Sequence, residues 1–525
     1  MNDQTSAEPG TVADIVRHHA RTRPDQVAMT FNGHRTTYRE LDTRASRVAQ
    51  GLITEGVGPQ ERVAFLDRNS DQYFEILFGA AKANAVPVAV NWRLAPPEIT
   101  YILNDARARV LFVGPDFAPV IAGVRDALEH VRRIVVMGPG SGDWPSYQAW
   151  RDAQPADDPL RPVGADDVAL QMYTSGTTGH PKGVQLAHHG FVYHPQSEEE
   201  EWSRWAPGDI CLLVMPLFHI GGSALGIATF YHGAHNVVLA DFDPGAVIDA
   251  IADHRISKLF LVPAALQAII RHPKAATADL TSIDYVAYGA APIPLPLLKE
   301  ALSVLDCGFV QVYGMTEAGG GVAILPPDDH DPAGNKRMRS AGRAMAGREI
   351  CVMDAEGNRL PPGEIGEICV RAATTMVGYW NRPEATARAL DRDGWLRTGD
   401  AGYLDEDGYI FLHDRIKDMI VSGGENVYPA EVEHALAEHP GVADVAVIGV
   451  PSDAWGEEVK AIVVRRDGAD VDEGGLIDYA REAIAGYKVP KSVDFVDALP
   501  RNPTGKVLKR VLREPYWQGV EREIN

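Results

Sequence analysis

Six short, almost uninterrupted apolar runs lie within the first 290 residues, and they limit the fold more than any other feature. They are VPVAV at 86–90, RVLFVG at 109–114, RIVVM at 133–137, HNVVLA at 235–240, KLFLV at 258–262 and DYVAY at 284–288. A strand with one wet face would alternate apolar and polar residues, and these do not. Amphipathic helix-length segments separate many of them, the stretch 71–84 among them. Apolar strands alternating with helices predict a parallel sheet covered on both faces, an α/β fold.

A chain of 525 residues exceeds what one core supports, so a large domain of sub-lobes plus a smaller one is expected. The texture changes twice. From about 337 to 413 turns become dense, as in DRDGWLRTGD and DEDGYIFLHD, which predicts a small antiparallel or barrel-like lobe. After Lys417 the chain reads as a separate α+β unit. It has a helix near 429–438, the strand pair VADVAVIGV and VKAIVVRR, a helix near 474–485, the run SVDFVDALP and a short last helix. The expected division is 1–416, with the β-rich lobe at its end, and 417–525.

Charge narrows the partners. Asp+Glu 72 against Lys+Arg 50 gives a net charge of −22, a surface that repels nucleic acid and anionic lipid. An anionic substrate then needs a local cluster of cations and backbone N–H groups. The cysteines Cys211, Cys307, Cys351 and Cys369 are scattered, with no C-x-x-C pair and no zinc spacing. That predicts buried free thiols in a reducing compartment, hence a cytoplasmic protein. The polar start MNDQTSAEPG has no signal core. Ile210–Tyr231 has the length of a membrane span, but Pro216, His219 and Gly221-Gly222 interrupt it. A strand, a turn and a packed helix are expected instead.

The chemistry is concentrated in a few motifs. Tyr173-Thr174-Ser175-Gly176-Thr177-Thr178-Gly179-His180-Pro181-Lys182-Gly183 follows the expected strand DVALQM and precedes a segment read as helical. Its three glycines allow close backbone approach, its hydroxyls and exposed N–H groups form an anion nest, and Lys182 adds a positive charge. It is a phosphate cradle that does not fit the Walker pattern. Further along stand Tyr288-Gly289-Ala290-Ala291-Pro292, Gln311-Val312-Tyr313-Gly314-Met315-Thr316-Glu317, Gly394-Trp395-Leu396-Arg397-Thr398-Gly399-Asp400, Asp414-Arg415-Ile416-Lys417-Asp418 and Pro500-Arg501-Asn502-Pro503-Thr504-Gly505-Lys506.

In these motifs and their order, over most of its length, the chain resembles the adenylate-forming superfamily, most closely its bacterial fatty-acyl and aryl CoA ligases. The resemblance implies ATP and coenzyme A as co-substrates, Mg²⁺ as cofactor and a carboxylic acid as the molecule activated. It implies that Thr174, Ser175, Gly176, Thr177, Thr178 and Gly179 hold phosphates, with Lys182 beside them. Gly289, Ala290, Ala291 and Tyr313 would lie at the adenine, Gly314 and Met315 would belong to the ATP/AMP site, Thr316 would contact the α-phosphate, and Glu317 with Thr174 would hold the metal. Asp400 would accept from the ribose hydroxyls, Arg415 would make a second ribose or phosphate contact, and Lys417 would be the hinge of a rotating C-terminal domain. Lys506 would reach both the attacking carboxylate and the α-phosphate.

Ser422, Gly423 and Gly424 resemble the loop lining the pantetheine tunnel, and Trp455 matches a tryptophan that stacks on the coenzyme A adenine in some relatives or is a packing anchor. His219, Gly221 and Gly222 match the acyl-pocket segment, with His219 where amino-acid-activating relatives carry Asp. That argues against an amino-acid substrate. A medium- or long-chain fatty acid is the expected substrate, ahead of an aryl or steroid side-chain acid. An acyl-AMP ligase loading a carrier protein, and an ATP-binding sensor without catalysis, are the rival readings. A homodimer is a family-level expectation.

Overall fold

The computed structural model describes residues 8–174, 181–198, 205–206, 208–291, 293–415, 418–422, 425–452, 455–501 and 507–518, and side chains within these except at 194–198, 414–415, 421, 425–426 and 456. Two large sheets dominate. In the seven-stranded one the order is Gly378–Tyr379, Lys182–Ala187, Val168–Thr174, Val86–Ala89, Arg62–Leu66, Val110–Val113 and Arg133–Val136. In the nine-stranded one, strands Gly308–Met315, Tyr285–Gly289, Lys258–Leu261, Ile210–Leu213, His235–Val238 and Val27–Phe31 run parallel, with antiparallel additions at each edge. All six apolar runs are parallel strands, buried as their composition requires.

The largest core lies between these sheets. Helices Tyr38–Thr54 and Asp71–Lys82 fill it, with Phe74, Phe78 and Phe230 in edge-on and tilted ring contacts. Ile210–Tyr231 resolves into the strand Ile210–Leu213, a turn and the packed helix Ile220–Tyr231. Among the described residues no helix is long and apolar enough to cross a membrane.

One expectation is corrected. The segment after the glycine-rich loop is not helical: Lys182–Ala187 is a strand, antiparallel to Val168–Thr174, and the helix begins at His188. The loop therefore joins a hairpin, so its ends return to each other instead of continuing along a helix axis.

The turn-dense region forms a four-stranded antiparallel sheet, Arg348–Met353, Gly366–Ala372, Leu396–Leu404 and Ile410–Arg415. Its Gly378–Tyr379 excursion leaves to pair with the seven-stranded sheet. The C-terminal residues build a five-stranded sheet around Val442–Ser452 and Gly456–Arg465, with helices Pro429–Ala437 and Glu473–Ala483 packed on it. A last helix, Lys509–Arg513, follows.

Candidate active site

Two strand ends and one short turn build the centre of the site. Val168–Thr174 ends at Thr174, and Gly308–Met315 runs into the 3-10 turn Thr316–Ala318, which presents Glu317. The Thr174 hydroxyl donates to Glu317 Oε1 at 3.3 Å. These residues, 143 apart in sequence, thus come together.

A second hydroxyl reaches the same oxygen. Tyr379 Oη donates to Glu317 Oε1 at 3.0 Å, and Lys182 Nζ lies 5.0 Å from the centre of the Tyr379 ring. Sequence reading missed Tyr379. Its only local signal was an aromatic pair, Tyr379-Trp380, between Gly378 and Asn381, both at positive φ. The turn itself is tied down: Met376 N–H donates to the Glu317 carbonyl at 2.8 Å and Thr374 Oγ1 to that of Ala318 at 2.7 Å.

Glu317 is 9% exposed and makes no salt bridge among the described residues. A carboxylate with a hydroxyl beside it, phosphates and waters completing the shell, suits the oxygen-only, octahedral preference of Mg²⁺. The residues present fit the ion.

The strands predicted to face the nucleotide adjoin this centre. Tyr288, Gly289 and Val312 lie side by side on parallel strands. A Cβ on Gly289 would stand 2.2 Å from the Val312 carbonyl oxygen, so only glycine fits the close approach. Ala290 is exposed and left-handed, with φ 63°, a conformation that costs a residue bearing a Cβ about 1–2 kcal/mol. Strain of this kind clusters where function holds it in place. Tyr313 Oη donates to Asp400 Oδ2 at 2.7 Å, and Asp400 is the register partner of Arg415.

The segment predicted to line the acyl pocket caps a helix. His219 Nδ1 accepts from the Gly221 N–H at 3.2 Å at the start of Ile220–Tyr231, and surrounding atoms desolvate the ring and push its pKa down to about 4. A neutral imidazole is therefore presented at neutral pH. The two glycines differ. A Cβ on Gly222 would meet the Pro216 carbonyl oxygen at 2.4 Å, so its smallness serves the backbone; a Cβ on Gly221 would lie 3.2 Å from Cε1 of Phe260. The same ring lies 3.6 Å from a Cβ placed on Gly289. Phe260 therefore stands between Gly221 of the segment predicted to line the acyl pocket and Gly289 of the strand predicted to flank the adenine, a position its sequence run did not reveal.

Several predicted residues are elsewhere or not described. Ser422 is buried in the C-terminal sheet, in register with Gly456 and so next to Trp455, which is 52% exposed. Ser175, Gly176, Thr177, Thr178, Gly179, Pro292, Lys417, Gly423, Gly424 and Lys506 lie outside the described residues. The four cysteines are free thiols; burial pushes those of Cys211, Cys307 and Cys369 up to about 12.

Comparison with known proteins gives the family. Residues 16–380 match the AMP-binding enzyme family, and residues 431–506 match the AMP-binding enzyme C-terminal domain. The chain is 41% identical over 518 residues to a fatty acid–[acyl-carrier-protein] ligase, ScoC, of Streptomyces coeruleorubidus, covering 98% of each protein. It is 42% identical over 500 residues to a feruloyl-CoA synthase of Amycolatopsis sp, covering 95% of this chain and 97% of that one. Among solved structures, a fatty acyl CoA synthetase of Mycobacterium tuberculosis superposes with a TM-score of 0.78 at 36% identity, over 98% of this chain and 99% of that one.

Proposed function

The chain belongs to the AMP-binding enzyme family, and on that premise we propose that it is an AMP-forming acid–thiol ligase that joins a carboxylic acid to coenzyme A. The observation that supports this most is the meeting of Thr174 and Glu317, hydroxyl and carboxylate, at the mouth of the glycine-rich hairpin.

In the first half-reaction a carboxylate oxygen attacks the α-phosphorus of ATP and pyrophosphate leaves. The obstacle is bringing two anions together, so alignment and charge neutralisation are the protein's main task. Thr316 and Lys506 are assigned to the α-phosphate, the 174–179 hydroxyls and amides with Lys182 to the β- and γ-phosphates, and Asp400 with Arg415 to the ribose. Glu317 and Thr174 are the residues that would hold Mg²⁺, which when bound withdraws charge from phosphate oxygens. In the second half-reaction the thiol attacks the acyl carbon and AMP leaves, with no side-chain nucleophile. Ser422, Gly423, Gly424 and Trp455 are assigned to coenzyme A, after rotation of residues 417–525 about Lys417.

The acid is assigned as a medium- or long-chain fatty acid. His219 in place of an amine-binding carboxylate, and the small residues Gly221 and Gly319-Gly320-Gly321, favour an apolar chain. The feruloyl-CoA relative keeps an aryl acid as the second choice. The 41% identity to a ligase acting on acyl-carrier protein supports a second reading for the acceptor, a carrier-bound phosphopantetheine. A soluble cytoplasmic homodimer without nucleic-acid partners completes the proposal.

The test is a panel of carboxylates with Mg-ATP, following AMP release with coenzyme A, with a phosphopantetheinylated carrier protein, and with neither. Release that requires coenzyme A supports the primary reading. Release only with the carrier supports the second, and no pyrophosphate with any acid removes both.

A further inference from the structure

The loop that would cradle the phosphates begins after Thr174 and ends before Lys182, and these two residues are direct partners in the strand register. Strand pairing fixes the backbones of these two residues, and the groups that brace their strand ends from the side lie outside every motif. Helix Pro96–Asp105 ends beside it, and its last turn carries Tyr101 and Asp105, four residues apart and therefore on one face.

Asp105 Oδ2 accepts from the Tyr173 hydroxyl at 2.7 Å, one residue before Thr174. The Tyr101 hydroxyl donates to the Pro181 carbonyl at 3.2 Å, one residue before Lys182. A single guanidinium locks the pair, since Arg382 donates to Asp105 Oδ1 at 2.8 Å and to Tyr101 Oη at 3.2 Å. The Asp105 main chain also takes part, its carbonyl accepting from Trp380 Nε1 at 2.9 Å. Trp380 in turn lies flat under Arg62, 3.5 Å from the guanidinium carbon. Arg62 donates to Gln171 at 3.0 Å and Gln185 at 2.9 Å, the two glutamines facing each other across the hairpin.

Helix stability does not explain the aspartate. A negative side chain on the last residue of a helix opposes the partial negative charge there and costs some tenths of a kcal/mol. Its side chain is only 11% exposed, which adds desolvation. The residue is stabilised by partners belonging to the hairpin and to the 378–382 turn, and that same turn sends Tyr379 to Glu317.

We propose that Asp105 is a positioning residue for adenylation: through Tyr173 and through Arg382 with Tyr101 it braces the paired strand ends that carry Thr174 and Lys182, and so orients the phosphate-binding mouth. This rests on the reading of the site as an ATP-dependent ligase. Asp105 touches no reacting atom, and its effect is confined to the half-reaction that handles the triphosphate.

The experiment measures ATP–pyrophosphate exchange and, separately, thioester formation from supplied acyl-AMP, for wild type, Asp105→Asn and Tyr173→Phe, with the acid giving the fastest wild-type exchange. Losing a hydrogen bond to a charged group should raise the KM for ATP in exchange by about tenfold. Thioester formation should stay within about twofold, because AMP carries no β- or γ-phosphate. Tyr173→Phe removes one hydroxyl and keeps the ring, so it answers the question even if Asp105→Asn folds poorly. Equal loss in both half-reactions, or an unchanged KM for ATP in Tyr173→Phe, overturns the proposal. A wild-type protein without exchange for any acid would instead overturn the ligase reading itself.

Discussion

Tyr313 and Asp400 meet across two sheets: the phenol, on a strand of the nine-stranded sheet, donates to the carboxylate of the four-stranded sheet at 2.7 Å. The contact fastens the β-rich region to the strand that leads into Glu317. It also puts a donor on the carboxylate assigned to the ribose, so a bound nucleotide must share Asp400 with Tyr313 or displace it. Replacing Asp400 by Asn weakens acceptance of two ribose hydroxyls. The kcat/KM for ATP in pyrophosphate exchange should fall by roughly 10- to 100-fold. Tyr313→Phe should cost less, about threefold, because the carboxylate stays. A kcat/KM for ATP unchanged in Asp400→Asn would remove the ribose assignment.

Glu317 gives a test that does not depend on the acid. Glu317→Gln keeps the shape of the side chain and can still accept from Thr174 and Tyr379, but removes the charge. The Mg²⁺ concentration for half-maximal exchange should rise at least about tenfold, with a Tm shift of only a few degrees. An unchanged Mg²⁺ dependence would show that the metal is held elsewhere.

The first helix, Val12–Thr22, depends on two neutral histidines. His19 Nε2 donates to the Tyr231 carbonyl at 2.8 Å, and His188 Nδ1 accepts from the Val12 N–H at 3.2 Å. Burial lowers each ring to about 4. The unfolded chain therefore takes up these protons near pH 6.5 while the folded one does not until about 4, so stability is present above 6.5 and lost as pH falls toward 4. Each ring contributes at most about 3 kcal/mol to that loss. Thermal unfolding from pH 7.5 to 5 should show a falling Tm, with a shallower slope in His188→Gln. A slope identical to wild type would refute the assignment.

Ala290 holds a left-handed backbone without being glycine. Ala290→Gly should raise stability by about 0.5–1 kcal/mol, since the strain is relieved at some entropic cost. If the strain presents the adenine-facing turn, the same variant should bind ATP two- to threefold less tightly, roughly the effect of freeing one backbone position. A stabilised variant with unaltered ATP affinity would make the strain incidental.

Phe260 borders both Gly221 and Gly289. Phe260→Ala should move the preferred acid toward longer or bulkier substrates, shifting the ratio of kcat/KM values between two chain lengths by about tenfold. Gly221→Ala should act in the opposite direction, because its Cβ would sit 3.2 Å from the ring. Parallel loss across the whole acid panel in both variants would assign these residues to folding alone.

Much of this protein was legible in its residues because the relevant physics is local. Uninterrupted apolar runs such as RVLFVG can satisfy both faces only inside a covered parallel sheet, and the strand Val110–Val113 is there. The glycine-rich loop stands out because its glycines, hydroxyls and lysine can line an anion site wherever the chain places them, whereas Thr316-Glu317 and Asp400 take their roles from the resemblance of their motifs to the adenylate-forming superfamily. Lys182–Ala187 was misread because six residues carry too little periodicity to separate strand from helix; pairing with Val168–Thr174 decided it. Tyr379, Phe260 and Asp105 were invisible for a related reason. Their partners lie 62, 68 and up to 277 residues away or come from another strand, so each owes its meaning to packing that no local pattern encodes.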